Sequence, residues 1–183
     1  LTLLILHPAH AQDTLQPITS ANAAQLQQIA QLGDGALAET GWSPDGKYVT
    51  FVREQSNGKH DVLRVPASGG PEQKLAETIS SAAWSPDGKK IAVTGGSPAR
   101  MGEIQIWDVA AKKLELSKSL TFDTIYGASW SPDGKQLAFG CADNAVRAID
   151  IATGKETLFM GGHSDWVLDT VWGVDGKHVV SCG

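Results

Sequence analysis

The sequence predicts an all-β protein made of repeated four-stranded antiparallel units. The phrase WSPDGK begins at Trp42, Trp84 and Trp130, and a diverged copy, WGVDGK, begins at Trp172. The copies start at intervals of 42, 46 and 42 residues, a period typical of an array of small units that stack on one another. Short runs of β-branched and aromatic residues, separated by turn residues, fill each interval without sustained helical periodicity.

The repeated phrase predicts a hairpin turn. In the SPDG of residues 43–46, proline presets the φ angle of a type I turn, aspartate tolerates the next position, and glycine supplies the positive φ that closes the hairpin. Trp42 precedes the turn and the apolar run 48–52 follows it. Each copy therefore predicts a strand–turn–strand unit whose first strand is anchored by a tryptophan. Val174 replaces the proline in the fourth copy, and we expect that turn to be weaker by about 0.4–1 kcal/mol.

The remainder of each period supplies two more strands. In the third copy, 137–139, 145–151 and 157–160 are short apolar segments separated by turn residues. The second copy has four additional residues, which we assign to a loop at 96–102. Four strands in about 42 residues make the blade of a β-propeller. The sequence therefore predicts a β-propeller fragment over residues 25–183, with about three complete four-stranded antiparallel blades and a partial fourth.

Two segments carry a family resemblance. Trp107-Asp108 is similar to the dipeptide that closes a WD repeat, and 162–167 (GHSDWV) is similar to the glycine–histidine that opens the next one. The chain thus resembles bacterial secreted WD-repeat propellers. His163 occupies the WD-repeat histidine position only in the fourth copy, so the resemblance implies that the buried Asp–His–Ser–Trp network of eukaryotic members is mostly missing. Residues 61–71 (DVLRVPASGGP) are instead similar to blades of TolB-like and peptidase-associated propellers.

Composition restricts the classes of partner. Fifteen basic and twenty acidic residues give a net charge of −5, and no lysine–arginine cluster occurs. Because phosphate binding needs a basic surface, this argues against nucleic acid or an anionic membrane as a partner. No apolar run reaches the length of about eighteen residues that a transmembrane helix requires, so no membrane insertion is expected. The partner that we expect for a non-enzymatic propeller is a protein or peptide.

Both termini suggest a piece of a longer secreted protein. Residues 1–11 combine a hydrophobic run with an A-x-A-like sequence at 9–11, which predicts the remnant of a secretory signal peptide and a periplasmic or secreted location; the alternative is a buried strand. Residues 12–24 form a polar leader. The last residues, 181–183, fall inside a predicted strand, so we expect a truncated propeller whose uncovered blade faces self-associate.

Propensity and repeat register disagree at the start of the propeller. Propensity favours a helix over residues 20–32, ended by Gly33. The register instead aligns 28–29 with the outer strand of a blade. We expect a short helical turn over 20–24 followed by a strand.

We assign structural roles to most of the distinctive side chains. The candidates are Trp42, Trp84, Trp107, Asp108, Trp130, His163 and Trp172. Each repeated aspartate of the turns is interpreted as a turn residue rather than as part of a metal-binding carboxylate ring, because each lies in its own hairpin. His163, Ser164 and Asp165 are adjacent on one loop and cannot converge as a catalytic triad, and no G-x-S-x-G motif occurs. The sequence predicts no catalytic residue, cofactor or metal site.

Three residues are candidates for contact with a partner: Trp166, Asp165 and Thr124. Thr124 and Trp166 occupy the same slot of successive repeats, just before the first strand. Because Val167 follows Trp166 and fills the aligned core position, we expect the Trp166 side chain to project from the loop-bearing face; packing over its own blade is the alternative. The overlay of the repeats places Cys141 and Cys182 out of register, so we expect free thiols.

Three functions are compatible with these features. The first is a non-enzymatic extracytoplasmic propeller that acts as a protein- or peptide-binding scaffold. The second is the N-terminal propeller of a larger secreted enzyme, such as a serine peptidase with a catalytic domain beyond Gly183. The third is a propeller attached to a sensory or regulatory module.

Overall fold

A computed structural model of the chain describes residues 2–6, 26–31, 37–56, 60–77 and 80–183. These residues form strands and turns, and none of them is helical. The strands are β1 (Thr2–Leu6), β2 (Leu26–Gln31), β3 (Leu37–Trp42), β4 (Tyr48–Glu54), β5 (His60–Pro66), β6 (Gln73–Glu77), β7 (Ser81–Trp84), β8 (Lys90–Ser97), β9 (Met101–Asp108), β10 (Lys113–Thr121), β11 (Ile125–Trp130), β12 (Gln136–Cys141), β13 (Ala145–Asp150), β14 (Glu156–Gly161), β15 (Asp169–Trp172) and β16 (Val179–Cys182).

Consecutive strands form the predicted blades. Strands β3–β6, β7–β10 and β11–β14 make three four-stranded antiparallel sheets, the first, second and third blades, and β15–β16 make a fourth hairpin. The register is regular where neighbouring strands are well matched, as in Gln136↔Asp150 through Gly140↔Val146 between β12 and β13. The all-β fold with repeated propeller blades is thus confirmed. The described residues contain no helix with the length and apolarity needed to cross a membrane.

Strands β1 and β2 form a separate two-stranded antiparallel sheet, with Thr2 opposite Gln31 and Leu6 opposite Leu26. The strand predicted after the leader is therefore present, but its hydrogen-bonded partner is β1 and not a blade. For residues 2–6, a strand was the alternative to a signal peptide. The A-x-A-like sequence at 9–11 and the helical turn expected over 20–24 lie outside the described residues, so secretion stays a prediction.

The repeated turns share one set of hydrogen bonds. In the first copy Ser43 Oγ donates to Asp45 Oδ1 at 2.6 Å, Lys47 N donates to the same oxygen at 3.1 Å, and Tyr48 N donates to Ser43 Oγ at 2.9 Å. The second and third copies repeat all three bonds. Gly46 has φ 68°, which accounts for the glycine of the phrase. The serine and aspartate thus satisfy each other and the turn backbone.

The turns also stack from blade to blade. A Cβ on Gly88 would lie 3.6 Å from the Pro44 ring, and one on Gly134 or Gly176 would lie 3.8 Å from the proline of the preceding turn. Each glycine therefore packs beside the proline one repeat earlier. The repeated sequence WSPDGK therefore specifies a local turn and also a contact between neighbouring blades.

The repeated tryptophans join each blade to the one before it. Trp84 Nε1 donates to Thr50 Oγ1 of the first blade at 3.1 Å, and Trp130 Nε1 donates to Ala83 O of the second blade at 3.0 Å. Trp130 is 7% exposed and belongs to the largest core cluster. Trp42 differs, because 47% of it is exposed. The expectation that Trp42 anchors the core is corrected, since no described blade precedes the one that carries it.

The four extra residues of the second repeat lengthen a hairpin instead of forming a long loop. Strand β8 continues to Ser97 and β9 begins at Met101, and these two residues pair directly. The connection is therefore only residues 98–100, closed by a bond from Arg100 N to Ser97 O at 3.0 Å. The loop predicted at 96–102 is corrected accordingly, because Gly96 and Gly102 also pair within the ladder.

Candidate functional site

The antiparallel meander separates two ends of the blades. The turn face carries the four repeated turns, which stack from blade to blade. The loop face carries the connections at the opposite ends of the strands, described for residues 98–100, 122–124, 142–144 and 162–168. These loop-face connections are joined across the blades, since Ala99 N donates to Asp123 Oδ1 at 3.1 Å and Val167 N donates to Cys141 O at 3.1 Å.

Trp166 lies on the loop face and is 52% exposed. Its ring stacks on Tyr126 of β11, with centroids 6.0 Å apart and an angle of 23° between the ring planes. Val167 is fully buried, as the repeat overlay predicts for the residue that fills the core position. Trp166 therefore lies on the loop face with half of its surface exposed, and its ring stacks on Tyr126 of the third blade.

The backbone around Trp166 is held by hydrogen bonds to its neighbours. Leu168 N donates to Cys182 O at 2.8 Å, and Gly127 N donates to Leu168 O at 2.9 Å. Trp166 N donates to Asp165 Oδ1 at 2.8 Å. The exposed indole is thus mounted between the third blade and the fourth hairpin on a bonded backbone, which suits a preorganised contact surface.

Two carboxylates lie near the stacked rings of Tyr126 and Trp166. Asp123 Oδ1 accepts bonds from Ala99 N and from Thr124 N, the latter at 2.7 Å. Burial, and then the nearby Asp123 charge, raise the pKa of the Tyr126 hydroxyl. Asp165 is exposed beside Trp166. The predicted residues Trp166 and Asp165 therefore lie together on one surface.

Thr124 occupies a different environment from the one expected of a partner contact. Its side chain is 6% exposed. Its carbonyl accepts Ala142 N at 3.2 Å, which closes the end of the β11–β12 pair. Because the residue is buried, it offers no exposed surface to a partner, and the assignment of Thr124 as a partner-binding residue is corrected.

The structure adds Tyr126, Phe122 and Asp169 to this surface. Phe122 is 92% exposed at the tip of the β10–β11 connection. Asp169 is exposed at the start of β15, and its carboxylate fills the space beside Gly127, where any Cβ would fall 2.1 Å from Asp169 Oδ1. The glycine after Tyr126 was the available sequence signal, because the aligned positions of the first two repeats are not glycine.

His163 is placed beside the fourth hairpin. Its Nε2 lies 2.8 Å from Ser181 Oγ, and both side chains are partly buried. This pair links the β14–β15 connection to β16, which is a structural arrangement. Ser164 and Asp165 are exposed, and Asp165 Oδ1 accepts a bond from the adjacent Trp166 N.

The turn aspartates are engaged within their own hairpins. The bond from the serine hydroxyl, followed by that from the lysine backbone, holds the pKa of Asp45, Asp87 and Asp133 below the usual value. In the fourth copy the Lys177 backbone N–H and then His178 have this effect on the pKa of Asp175. Among the described residues, no group of three His, Cys, Asp or Glu side chains is arranged to hold a metal ion.

The remaining predicted structural residues lie at the blade edges. Asp108 Oδ1 accepts Ala111 N at 2.6 Å and so caps the β9–β10 turn. Trp107 packs against the cluster between the first and second blades. Cys141 and Cys182 are unpaired, as expected. Cys141 is buried, and its burial and then Asp143 raise the pKa of the thiol to about 12.

Comparison with known proteins supports the propeller assignment. The model of the anaphase-promoting complex subunit 4 WD40 domain matches residues 99–175, a span that covers the third blade and the Trp166 surface. The matched span is less than half of the chain, and a WD40-repeat match agrees with the four-stranded blade found there. The chain is also 31% identical over 65 residues to the uncharacterized peptidase YuxL of Bacillus subtilis strain 168. That alignment covers 34% of this chain but 10% of the relative.

Proposed function

We propose that the protein is a non-enzymatic extracytoplasmic propeller that binds a protein or peptide through the loop face around Trp166. The observation that carries the proposal is the exposed Trp166 ring, stacked on Tyr126 and mounted on a hydrogen-bonded backbone. Large aromatic residues presented in this way are the usual anchors of protein interfaces. The WD40 match supports an interaction scaffold at a coarse level. The extracytoplasmic location rests on the sequence of residues 1–11.

A random peptide library displayed against the full chain tests this function. Selected peptides should bind the Trp166→Ala variant more weakly by about 2 kcal/mol, roughly thirtyfold, because the anchor ring is lost. The melting temperature should be nearly unchanged, since half of the side chain is already in solvent.

Trp42→Ala is the matched control. Trp42 is 47% exposed, close to the 52% of Trp166, but it precedes the first turn and so lies at the turn face. Selected peptides should bind this control as they bind the unsubstituted chain. Equal binding by the Trp166→Ala variant, or a loss of folding without a separate binding defect, would contradict the proposal.

A second candidate is a propeller domain that belongs to a larger secreted peptidase. The alignment with the peptidase YuxL favours it, as does the first-blade segment 61–71. In the structure this segment ends β5 and turns through Gly69 and Gly70, whose φ angles are 86° and 138°. The natural gene product that carries this propeller should then react with a fluorophosphonate probe of serine hydrolases. Absence of labelling in the intact, folded product would remove this candidate.

A further inference from the structure

The loop face around Trp166 differs in charge from the turn face. The acidic residues in its described connections and at the start of β15 are Asp123, Asp143, Asp165 and Asp169; the same segments contain one arginine, Arg100, one histidine, His163, and no lysine. Each repeated turn of the opposite face carries one aspartate and one lysine, and the closest of these pairs, Lys47–Asp45, is 3.5 Å. The turn sequences are thus balanced, whereas the Trp166 surface carries an excess of negative charge.

Three of these carboxylates have no described cationic partner. Asp143 is neutralised by Arg147, 2.6 Å away. Asp123, Asp165 and Asp169 instead accept bonds from backbone N–H groups, those of Thr124, Trp166 and Thr170, at 2.7–2.8 Å. These bonds orient each carboxylate but leave its charge uncompensated.

The uncompensated carboxylates adjoin the exposed rings. Asp123 acts on the Tyr126 hydroxyl, Asp165 precedes Trp166, and Asp169 lies against Gly127, next to Tyr126. Phe122 extends from the same connection as Asp123 with 92% of its surface exposed. An aromatic face surrounded by negative charge is complementary to a cationic side chain, because the ring quadrupole and the carboxylates attract the same charge.

We propose that the surface formed by Phe122, Asp123, Tyr126, Asp165, Trp166 and Asp169 binds a basic peptide segment, with a lysine or arginine of the partner over the Trp166 ring. This inference rests on the proposed peptide-binding function and specifies the chemistry of the partner. We infer a basic segment from charge complementarity. Three carboxylates would repel an acidic segment, and a neutral segment would leave them without partners.

Three synthetic decapeptides with the same alanine–glycine host test the proposal. They contain three lysines, three glutamates or three serines, and each is titrated into the full chain by fluorescence anisotropy at low and physiological salt. The lysine peptide should bind at least tenfold more tightly than the other two, and its affinity should fall as salt rises. Trp166→Ala should weaken its binding about tenfold, in keeping with a desolvated cation–π contact.

Charge variants separate a defined site from general attraction. Asp123→Asn and Asp169→Asn retain an oxygen that accepts the backbone bond, and each should weaken the lysine peptide about threefold to fivefold. Asp108→Asn removes one charge from the turn-face end of β9, where the carboxylate also accepts a backbone bond, and should change the affinity less than twofold.

The outcomes distinguish this proposal from the function on which it rests. Serine or glutamate peptides that bind as well as the lysine peptide, still through Trp166, would overturn the basic partner and leave peptide binding intact. Equal weakening by the Asp108→Asn control would also overturn it, because attraction would then follow net charge alone. If neither these decapeptides nor the displayed library bound in a Trp166-dependent manner, the peptide-binding function itself would be wrong.

Discussion

The third blade and the fourth hairpin share a sequence pattern but differ in burial. Ala138 of β12 is fully buried, whereas Val180, at the equivalent position of β16, is 66% exposed. The difference in burial comes from the neighbouring strands. Strand β15 packs on β11 and β12 and so covers the third blade. Among the described strands, the third blade is in turn the main packing partner of the fourth hairpin. Burial at a repeated position is therefore determined by the adjacent unit, as expected for stacked repeats.

The same principle explains the first blade. Thr50 occupies the position equivalent to Ala138 and is 2% exposed, because Trp84 of the second blade covers it and donates to it. Trp42 ends β3 of the same blade; no blade among the described residues precedes it to cover the ring, and 47% of it is exposed. Trp42 in the first blade and Val180 in the fourth hairpin are thus exposed apolar side chains.

The largest expected effect concerns the blade-joining tryptophans. Trp130→Ala should lower the free energy of unfolding by about 3–5 kcal/mol, because a buried ring and its bond to Ala83 are lost from the core. Trp172→Ala should cost about half as much or less, since Trp172 is only half-buried and its buried Nε1 lacks a partner. Urea denaturation of both variants measures the difference. Equal losses would mean that the third blade and the fourth hairpin are equally packed.

Two glycine-to-alanine substitutions test the contact between the third blade and the fourth hairpin. A Cβ on Gly140 would lie 2.3 Å from Val167 O, whereas one on Gly161 would meet nothing within 4 Å. Gly140→Ala should therefore push Val167 from its buried position and destabilise the chain by about 1–3 kcal/mol. Gly161→Ala, in the same blade, should be near neutral in the same denaturation experiment. A neutral Gly140→Ala would show that the two units are not in tight contact.

The sequence predicts the parts of this fold that are encoded locally. The SPDG turns specify their own hydrogen bonds, so their number, spacing and flanking strands were recoverable from the repeat alone. The exposure of Trp42 was not, because the same residue type in the same register is buried only where a preceding blade covers it. The second-blade insertion was also misjudged, since glycines that suggested a loop are paired in a lengthened hairpin.

The candidate site was predictable in part for the same reason. Trp166 occupies a position that holds alanine or threonine in the other three repeats. Because Val167 fills the core position beside it, the sequence predicts that the Trp166 side chain is exposed. Thr124 occupies that slot in the preceding repeat but is buried, so position in the repeat does not fix accessibility. Tyr126 and Asp169 meet this surface only through packing between the third blade and the fourth hairpin, a contact that no single repeat contains.

Restoring the repeated serine and proline in the diverged fourth turn should stabilise the fold. Gly173 and Val174 replace the serine and proline of the other copies, and the fourth turn consequently lacks the serine bonds to aspartate and backbone. Gly173→Ser combined with Val174→Pro should raise the free energy of unfolding by roughly 1 kcal/mol, through the added bonds and a less flexible unfolded chain. Thermal unfolding of the double variant provides the measurement. A decrease would indicate that the Asp175–His178 contact, 2.7 Å long, requires the diverged turn.

The smallest expected effect is the pH response of the turn carboxyls. The Ser131 hydroxyl is the first cause that holds the pKa of Asp133 below its usual value, so Ser131→Ala should raise the pKa of Asp133 and leave that of Asp175 unchanged, because the fourth turn has no such serine. A folded-state pKa below the unfolded value of about 3.9 means that the ionised carboxyl stabilises the fold above about pH 4. That contribution is lost as the pH falls through the folded-state pKa, so the variant should lose less stability on acidification than the unsubstituted chain. Carboxyl NMR titration of Asp133 and Asp175 in both proteins provides the measurement, and an unchanged Asp133 pKa in the variant would assign its depression to the Lys135 backbone N–H instead.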